Sequence, residues 1–297
     1  MLSILIPCYN YDCRQLVSSL QRQGESLESD YEIIVGDDAS DNAEIVSRNK
    51  EINALPHCVY SISEKNLGRA ENRNRMAEMA AGDWLLFIDC DARVCSDSFL
   101  RNYMAATGNA CVVCGGLCHP PVSPCPTATL RYKYERQADC RRAASIRSRN
   151  PYMQLSAFNL MIRKEVFMSV KFDKDCREYG YEDALMGVEL YKRGIEILHI
   201  DNPIMHVGLE PNDVFLGKSE TALRTLYGLK GKMGNHSHVE NMANRLRRLH
   251  ADKMYTLFYR IFRKSMKRNL LGDSPSLFVF SLYKLGFFLD LGTEGLE

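Results

Sequence analysis

The sequence predicts an α/β fold: a mostly parallel sheet flanked by helices, followed by a C-terminal helical extension. Three observations predict it. In the first half, short β-rich runs alternate with segments of helical periodicity, the pattern of strands joined by crossover helices. Two of those runs, Tyr31–Gly36 and Asp83–Ile88, are almost continuously apolar, as strands covered on both faces are. From Gly217 onward only helical patterning remains. The expected division is residues 1–210 and 211–297, with the boundary near Pro211.

The elements follow in order. Leu2–Ile6, Tyr31–Gly36, Val59–Ser63 and Asp83–Ile88 read as strands. Arg14–Gln23, Ala43–Asn53 and Arg69–Ala81 read as helices, with Leu16 and Leu20, or Met76, Met79 and Ala80, at helical spacing. Gly82 is the expected C-terminal stop of the third. Ala110–Gly116 reads as another strand, His119 through Pro126 as a loop, and Leu130–Ser148 as a charged helix. Ser156–Arg163 returns as a strand and Glu165–Val170 starts a short helix. Glu182–Arg193 is a helix ended by Gly194, and Ile195–Ile200 is a strand.

Composition narrows the function. A chain of 297 residues, 45% hydrophobic and 25% charged, has ample material for a core and is neither disordered nor collagen-like. Its 38 Lys and Arg against 37 Asp and Glu exclude a uniformly basic nucleic-acid binder. No run reaches the ~18 apolar residues of a spanning helix. Met1 leads into Leu2–Ile6 without a basic region or cleavage site, so no signal peptide is expected. Eleven cysteines, an odd number, suit a reducing cytoplasm with mostly buried thiols.

Open parallel sheets bind ligands at the carboxyl ends of their strands. Here those ends are Pro7-Cys8-Tyr9-Asn10, Asp37-Asp38-Ala39-Ser40, Asn66-Leu67-Gly68-Arg69 and Asp89-Cys90-Asp91, with no G-x-G-x-x-G or phosphate-loop pattern. Asp89 and Asp91, two residues apart, can both face a hard divalent cation, although acids there could equally cap a helix over Ser96–Thr107. Asp37-Asp38 can accept from a base N–H or a ribose hydroxyl, or cap Ala43–Asn53 with Ser40 or Asp41 as the cap itself. Glu182-Asp183 opens a helix. It is a cap, or a general base whose proton affinity a neighbouring acid and burial raise.

Taken together, these residues resemble the family 2 glycosyltransferases with a GT-A fold, the Rossmann-like fold of nucleotide-diphospho-sugar transferases. The resemblance is carried by Leu2–Asn10, Ile33–Ser40, Asn66-Leu67-Gly68 with Asn72-Arg73-Asn74, Gly82–Asp91, Phe158–Lys164 and Gly180–Asp183, over about residues 1–210. Arg131–Arg136 is also similar to bacterial surface-polysaccharide members. The resemblance implies an inverting transferase that uses a nucleotide-diphosphate sugar, most often a UDP-sugar, with Mn²⁺ or Mg²⁺. It implies that Pro7, Tyr9 and Asp38, with Asp37, surround the nucleoside, and that Asn10, Asn66 and Gly68 also bind the nucleotide sugar. Arg73 would lie near the base or diphosphate, Asp89 would touch ribose or metal, and Asp91 would bind metal. Asp183 would be the base, with Glu182 beside it on acceptor or donor sugar. It further implies His206 as a third metal ligand. Cys90 within the triplet and Ala92 after it depart from the commonest pattern. The implied acceptor is a glycan or a lipid-linked molecule. The alternative is a catalytically silent nucleotide-sugar-binding protein of the same fold.

Three features lie outside that core. His199 reads as a packing residue, and His236 and His238 as solvated loop residues. Cys111, Cys114, Cys118, His119 and Cys125 imitate a zinc site, but strand alternation would send neighbouring side chains to opposite faces. Asn241–Gly272 holds nine Lys or Arg and one acid, Asp252, interleaved with apolar residues. This is a helical subdomain with a solvated basic face, or a peripheral attachment to an anionic inner membrane.

Overall fold

The computed structural model describes residues 1–174, 176, 179–229, 232 and 237–292. The chain divides into two compact units, residues 1–120, 140–177 and 182–208 forming one and residues 121–139, 178–181 and 209–297 the other.

The first unit begins with β1 (Leu2–Cys8), α1 (Arg14–Gly24), β2 (Tyr31–Asp37), α2 (Ala43–Asn49), β3 (Cys58–Ile62), α3 (Arg69–Met79) and β4 (Trp84–Ile88). There follow β5 (Ala92–Arg93), α4 (Phe99–Ala106), β6 (Val112–Cys114) and β7 (Leu117–Cys118). After α5 (Thr129–Ala138), which belongs to the second unit, come α6 (Ala144–Arg147), β8 (Asn159–Arg163), α7 (Lys164–Val170), α8 (Glu182–Lys192), β9 (Ile197–His199) and β10 (Ile204–His206).

Among the described residues the main sheet has seven strands in the order β3-β2-β1-β4-β8-β6-β9. β1 pairs in parallel with β2 from Leu2↔Tyr31 to Cys8↔Asp37, and with β4 from Leu2↔Trp84 to Leu5↔Phe87. The β4 ladder stops before Pro7, so the missing proline N–H is not needed there. Leu2, Ile4, Leu5 and Ile6 and every residue of β4 are buried, the burial that a strand covered on both faces requires. β8 runs antiparallel to both β4 and β6, while the remaining pairs are parallel. The sheet is mostly parallel, as the apolar runs predicted.

Three expectations are corrected and one sheet is added. The helix over 43–53 ends at Asn49 and passes into a 3₁₀ turn, and its cap is Asn42, which accepts from Glu44 and Ile45 N–H, rather than Ser40 or Asp41. α3 stops at Met79, before Gly82. That glycine serves close packing instead, since a Cβ on it would lie 2.6 Å from Ser3 Oγ. The helix over 130–148 breaks because buried Arg147 is claimed by strand-end carbonyls, donating to Cys114 O at 3.1 Å and Ile200 O at 2.6 Å. Finally, β5, β10 and β7 form a second, three-stranded sheet whose two- and three-residue strands are too short for alternation to show.

The second unit holds α5, α9 (Asn212–Gly228), α10 (His238–Arg248), α11 (Asp252–Leu271) and α12 (Leu277–Asp290). Tyr134, Phe215 and Phe280 meet with ring centroids 5.6–6.0 Å apart, an aromatic cluster tying α5, α9 and α12 together. His238 is the exposed first residue of α10; His236 lies outside the described residues. Among the described residues no helix is long and apolar enough to cross a membrane.

Candidate active site

Each strand end of β1, β2 and β4 delivers the residues expected of it, but several of them spend their polar atoms on one another. Asp37 is fully buried. Its Oδ1 accepts the Ser40 N–H at 2.7 Å and its Oδ2 accepts the Tyr60 hydroxyl. It therefore holds the loop after β2. Asp38 accepts from Leu67 N–H at 2.7 Å through Oδ1 and from Gly68 N–H at 2.9 Å through Oδ2. Asn66 Nδ2 donates to Asp38 O at 3.1 Å. The carboxylate thus clips the loop that starts α3 to the end of β2.

Asn10 closes the same rim from β1. Its N–H donates to Ser40 Oγ at 2.8 Å, its Nδ2 to Asp41 Oδ1 at 2.7 Å, and its Oδ1 accepts the Asn42 N–H at 3.0 Å. Beside it the Tyr9 ring is 47% exposed, open to stack on a planar ligand, and Pro7 is half-buried. Asp38, Asn10 and Asn66 shape the rim, and Tyr9 is its exposed face.

Arg73 carries the electrostatics of the interior. It is 2% exposed, with Nη2 donating to Asp89 Oδ1 at 2.6 Å, Nη1 3.4 Å from Glu182 Oε1, and its guanidinium 5.4 Å from the centroid of Phe172. Asn74 fixes that floor by exchanging two 3.0 Å hydrogen bonds with the Phe172 backbone. Buried between two acids, Arg73 has its charge balanced within the protein. Burial works against ionised Asp89, yet Arg73 and Arg69 hold its carboxyl below the usual range. Arg69 Nη1 lies 3.8 Å from Asp89 Oδ2 and was given no role by the sequence. Asp89, expected to touch ribose or metal, is turned toward these two arginines.

Glu182 and Asp183 open α8. Asp183 Oδ2 accepts the Ala157 N–H at 3.0 Å, while Oδ1 is buried without a hydrogen-bond partner. Burial, reinforced by the Glu182 charge and opposed by Arg73, pushes the Asp183 carboxyl up to about 7. A carboxylate with an uncommitted oxygen and a proton affinity near neutrality is suited to take a proton from a hydroxyl.

Asp91 and His206 meet through the small sheet, in which β10 pairs antiparallel with β5 so that His206 faces Ala92. Asp91 Oδ2 lies 3.1 Å from His206 Nε2, and Phe158 packs edge-on against the imidazole at 5.1 Å. Gly208 completes the arrangement: a Cβ there would lie 2.5 Å from Asp91 Oδ2. The sequence offered no signal for this glycine beyond its place two residues after His206. Carboxylate oxygen and imidazole nitrogen on one point form a donor set that fits Mn²⁺, and the carboxylate alone also suits Mg²⁺.

Of the remaining sequence candidates, buried His119 packs edge-on to His206, with ring centroids 6.3 Å apart. His199 is buried with Nδ1 2.6 Å from Arg147 Nη1 and Nε2 3.0 Å from Pro151 O, a packing residue whose burial lowers its proton affinity. Cys114 is buried on β6 while Cys111 is exposed, so strand alternation separates them, and Cys118 Sγ instead lies 3.8 Å from Cys95 Sγ. Glu178, in the run before α8, lies outside the described residues.

A helix-flanked, mostly parallel sheet with an acidic rim at its strand ends is the GT-A arrangement of nucleotide-sugar transferases. Residues 3–169, more than half the chain, match the family described as Glycosyl transferase family 2, and the chain belongs to that family. It is 30% identical over 104 residues to the amylovoran biosynthesis glycosyltransferase AmsB of Erwinia amylovora, an alignment covering 34% of this chain and 34% of AmsB. The aligned segment spans only 29–34% of the length of the curated relatives matched. In fold the chain is similar to S. aureus TarS 1-349 in complex with UDP-GlcNAc, with TM-score 0.54, 15% identity, and coverage of 100% of this chain and 92% of that one. It is also similar to the mannosyltransferase PcManGT from Pyrobaculum calidifontis in complex with GDP-Man and Mn²⁺, with TM-score 0.56, 12% identity, and coverage of 98% and 86%.

Proposed function

We propose that this chain is an inverting glycosyltransferase that moves a sugar, a hexose or N-acetylhexosamine, from a nucleotide-diphosphate sugar to a hydroxyl of a glycan or lipid-linked acceptor. The observation that carries the reading is the Asp183 carboxyl, with one oxygen anchored on Ala157 N–H, the other uncommitted, and a proton affinity near neutrality. The acceptor hydroxyl gives its proton to Asp183 as its oxygen bonds to the anomeric carbon, and the sugar–phosphate bond breaks on the opposite face. One displacement inverts the configuration. Glu182, paired with Arg73, keeps a second negative charge beside Asp183 and so sustains its basicity.

Asp91 and His206 would hold Mn²⁺ or Mg²⁺. When bound, such a cation neutralises the charge that develops on a departing diphosphate. Arg69, 45% exposed at the start of α3, would meet a phosphate oxygen, and the exposed Tyr9 ring would stack on a base. A UDP-sugar is the first donor to test, in view of the UDP-GlcNAc bound by TarS. AmsB, by its name a polysaccharide biosynthesis enzyme, supports a glycan acceptor. A silent nucleotide-sugar-binding protein would have no use for a buried proton acceptor, and Asp183 weighs against that reading.

The test is a thermal-shift screen of nucleotide sugars with and without Mn²⁺, followed by turnover assays with candidate acceptors. Stabilisation by one donor that requires the cation, then release of the nucleotide diphosphate with an acceptor, is the expected result. No response to any nucleotide sugar would overturn the reading.

A further inference from the structure

Helix α11 is apolar on two opposite faces. Thr256, Tyr259, Met266 and Leu270 are buried within the second unit. On the other side Met254, Leu257, Phe258, Ile261 and Phe262 follow the spacing i, i+3, i+4, i+7, i+8 and are between 39% and 72% exposed. One apolar stripe docks a helix into its core; a second, bare one is an interaction surface. Its charge says which kind. Lys253, Lys264 and Arg268 are exposed along the stripe, in a stretch from Asn241 to Gly272 with nine basic residues and one acid. Arg260 and Lys267 are already engaged by Asp290 and Glu220 of the same unit, so the outward charge rests on the others.

A second copy laid on this face across a twofold axis would set like charges against like. A surface of anionic lipid headgroups neutralises them while the apolar stripe leaves water. We propose that α11 lies in the plane of an anionic membrane, with Leu257, Ile261 and their neighbours at the acyl boundary and Lys253, Lys264 and Arg268 at the phosphates. The helix rests on the bilayer rather than crossing it, because its opposite face is committed to the protein core. This inference stands independently of the glycosyl-transfer reading.

The test is co-sedimentation of the full chain with vesicles of phosphatidylcholine alone or mixed with phosphatidylglycerol. Binding to the mixed vesicles only, weakening as salt is raised, is expected. The variant K253Q/K264Q/R268Q should bind on the order of a hundredfold more weakly, at roughly fivefold per basic residue. L257E/I261E should lose binding at unchanged thermal stability, since both side chains face solvent. If the double variant unfolds, the charge variant alone decides. Equal binding to neutral vesicles, no binding to anionic ones, or a concentration-dependent dimer abolished by L257E/I261E would each overturn the proposal.

Discussion

Replacing Asp183 by asparagine exchanges a carboxylate for a neutral side chain of the same shape, and its two effects can be worked out separately. For catalysis the variant lacks a proton acceptor, a loss worth ~10²–10⁴-fold in kcat. Nucleotide affinity should stay nearly intact. For stability the sign follows from the raised proton affinity. The folded state binds the Asp183 proton more tightly than the unfolded chain does, so stability from this group is fully present below about pH 4 and is lost as pH rises toward about 7. The gap between 3.8 and about 7 corresponds to on the order of 4 kcal/mol. Asparagine can keep the bond to Ala157 N–H, but its NH₂ would replace the buried, unpartnered oxygen, costing about 1–3 kcal/mol. The variant should thus match or exceed the native chain above pH 7 and fall below it near pH 4. Urea denaturation of both proteins without nucleotide, at pH 4.5 and pH 8, measures the crossing. Parallel stability curves would show that Asp183 ionises as an ordinary carboxyl, and kcat within tenfold of native would remove it as the base.

The same carboxyl predicts that kcat/KM rises with pH through about 7 and then levels, read from initial rates at saturating cation; a flat profile from pH 5 to 8 would contradict it. Asp91→Ala should abolish the Mn²⁺-dependent part of nucleotide affinity in calorimetry, leaving the cation-free part. Gly208→Ala should do likewise with some loss of thermal stability, because its Cβ would lie 2.4 Å from Asp91 Cβ and force that residue aside. Arg73→Met should destabilise the fold by about 3–5 kcal/mol by depriving Glu182 of its guanidinium and leaving Asp89 to Arg69, 3.8 Å away, with R73M/E182Q recovering part of it in denaturant titrations.

What was legible in the sequence divides along a physical line. β2 and β4 could be read because burial on both faces leaves a continuous apolar run, and the acids after them because short motifs carry their own chemistry. Where those acids point could not be read. Asp37 turns inward to Tyr60 and Arg73 reaches Glu182, 109 residues away, through tertiary packing that no local pattern records. The small sheet stayed hidden because two residue pairs between β5 and β10 leave no periodicity. The raised proton affinity of Asp183 lies between these cases. Its neighbour Glu182 was visible, but the burial that dominates the effect is a property of the folded chain.

The short ladder between β5 and β10 bears on how the chain is made. During synthesis the seven-stranded sheet can close once His199 has left the ribosome, yet the partner of Asp91 emerges only with His206. A product truncated between these two points would contain every strand of the main sheet and lack the partner of Asp91. Truncation in that short interval would therefore separate the last strand of the main sheet from the Asp91–His206 contact.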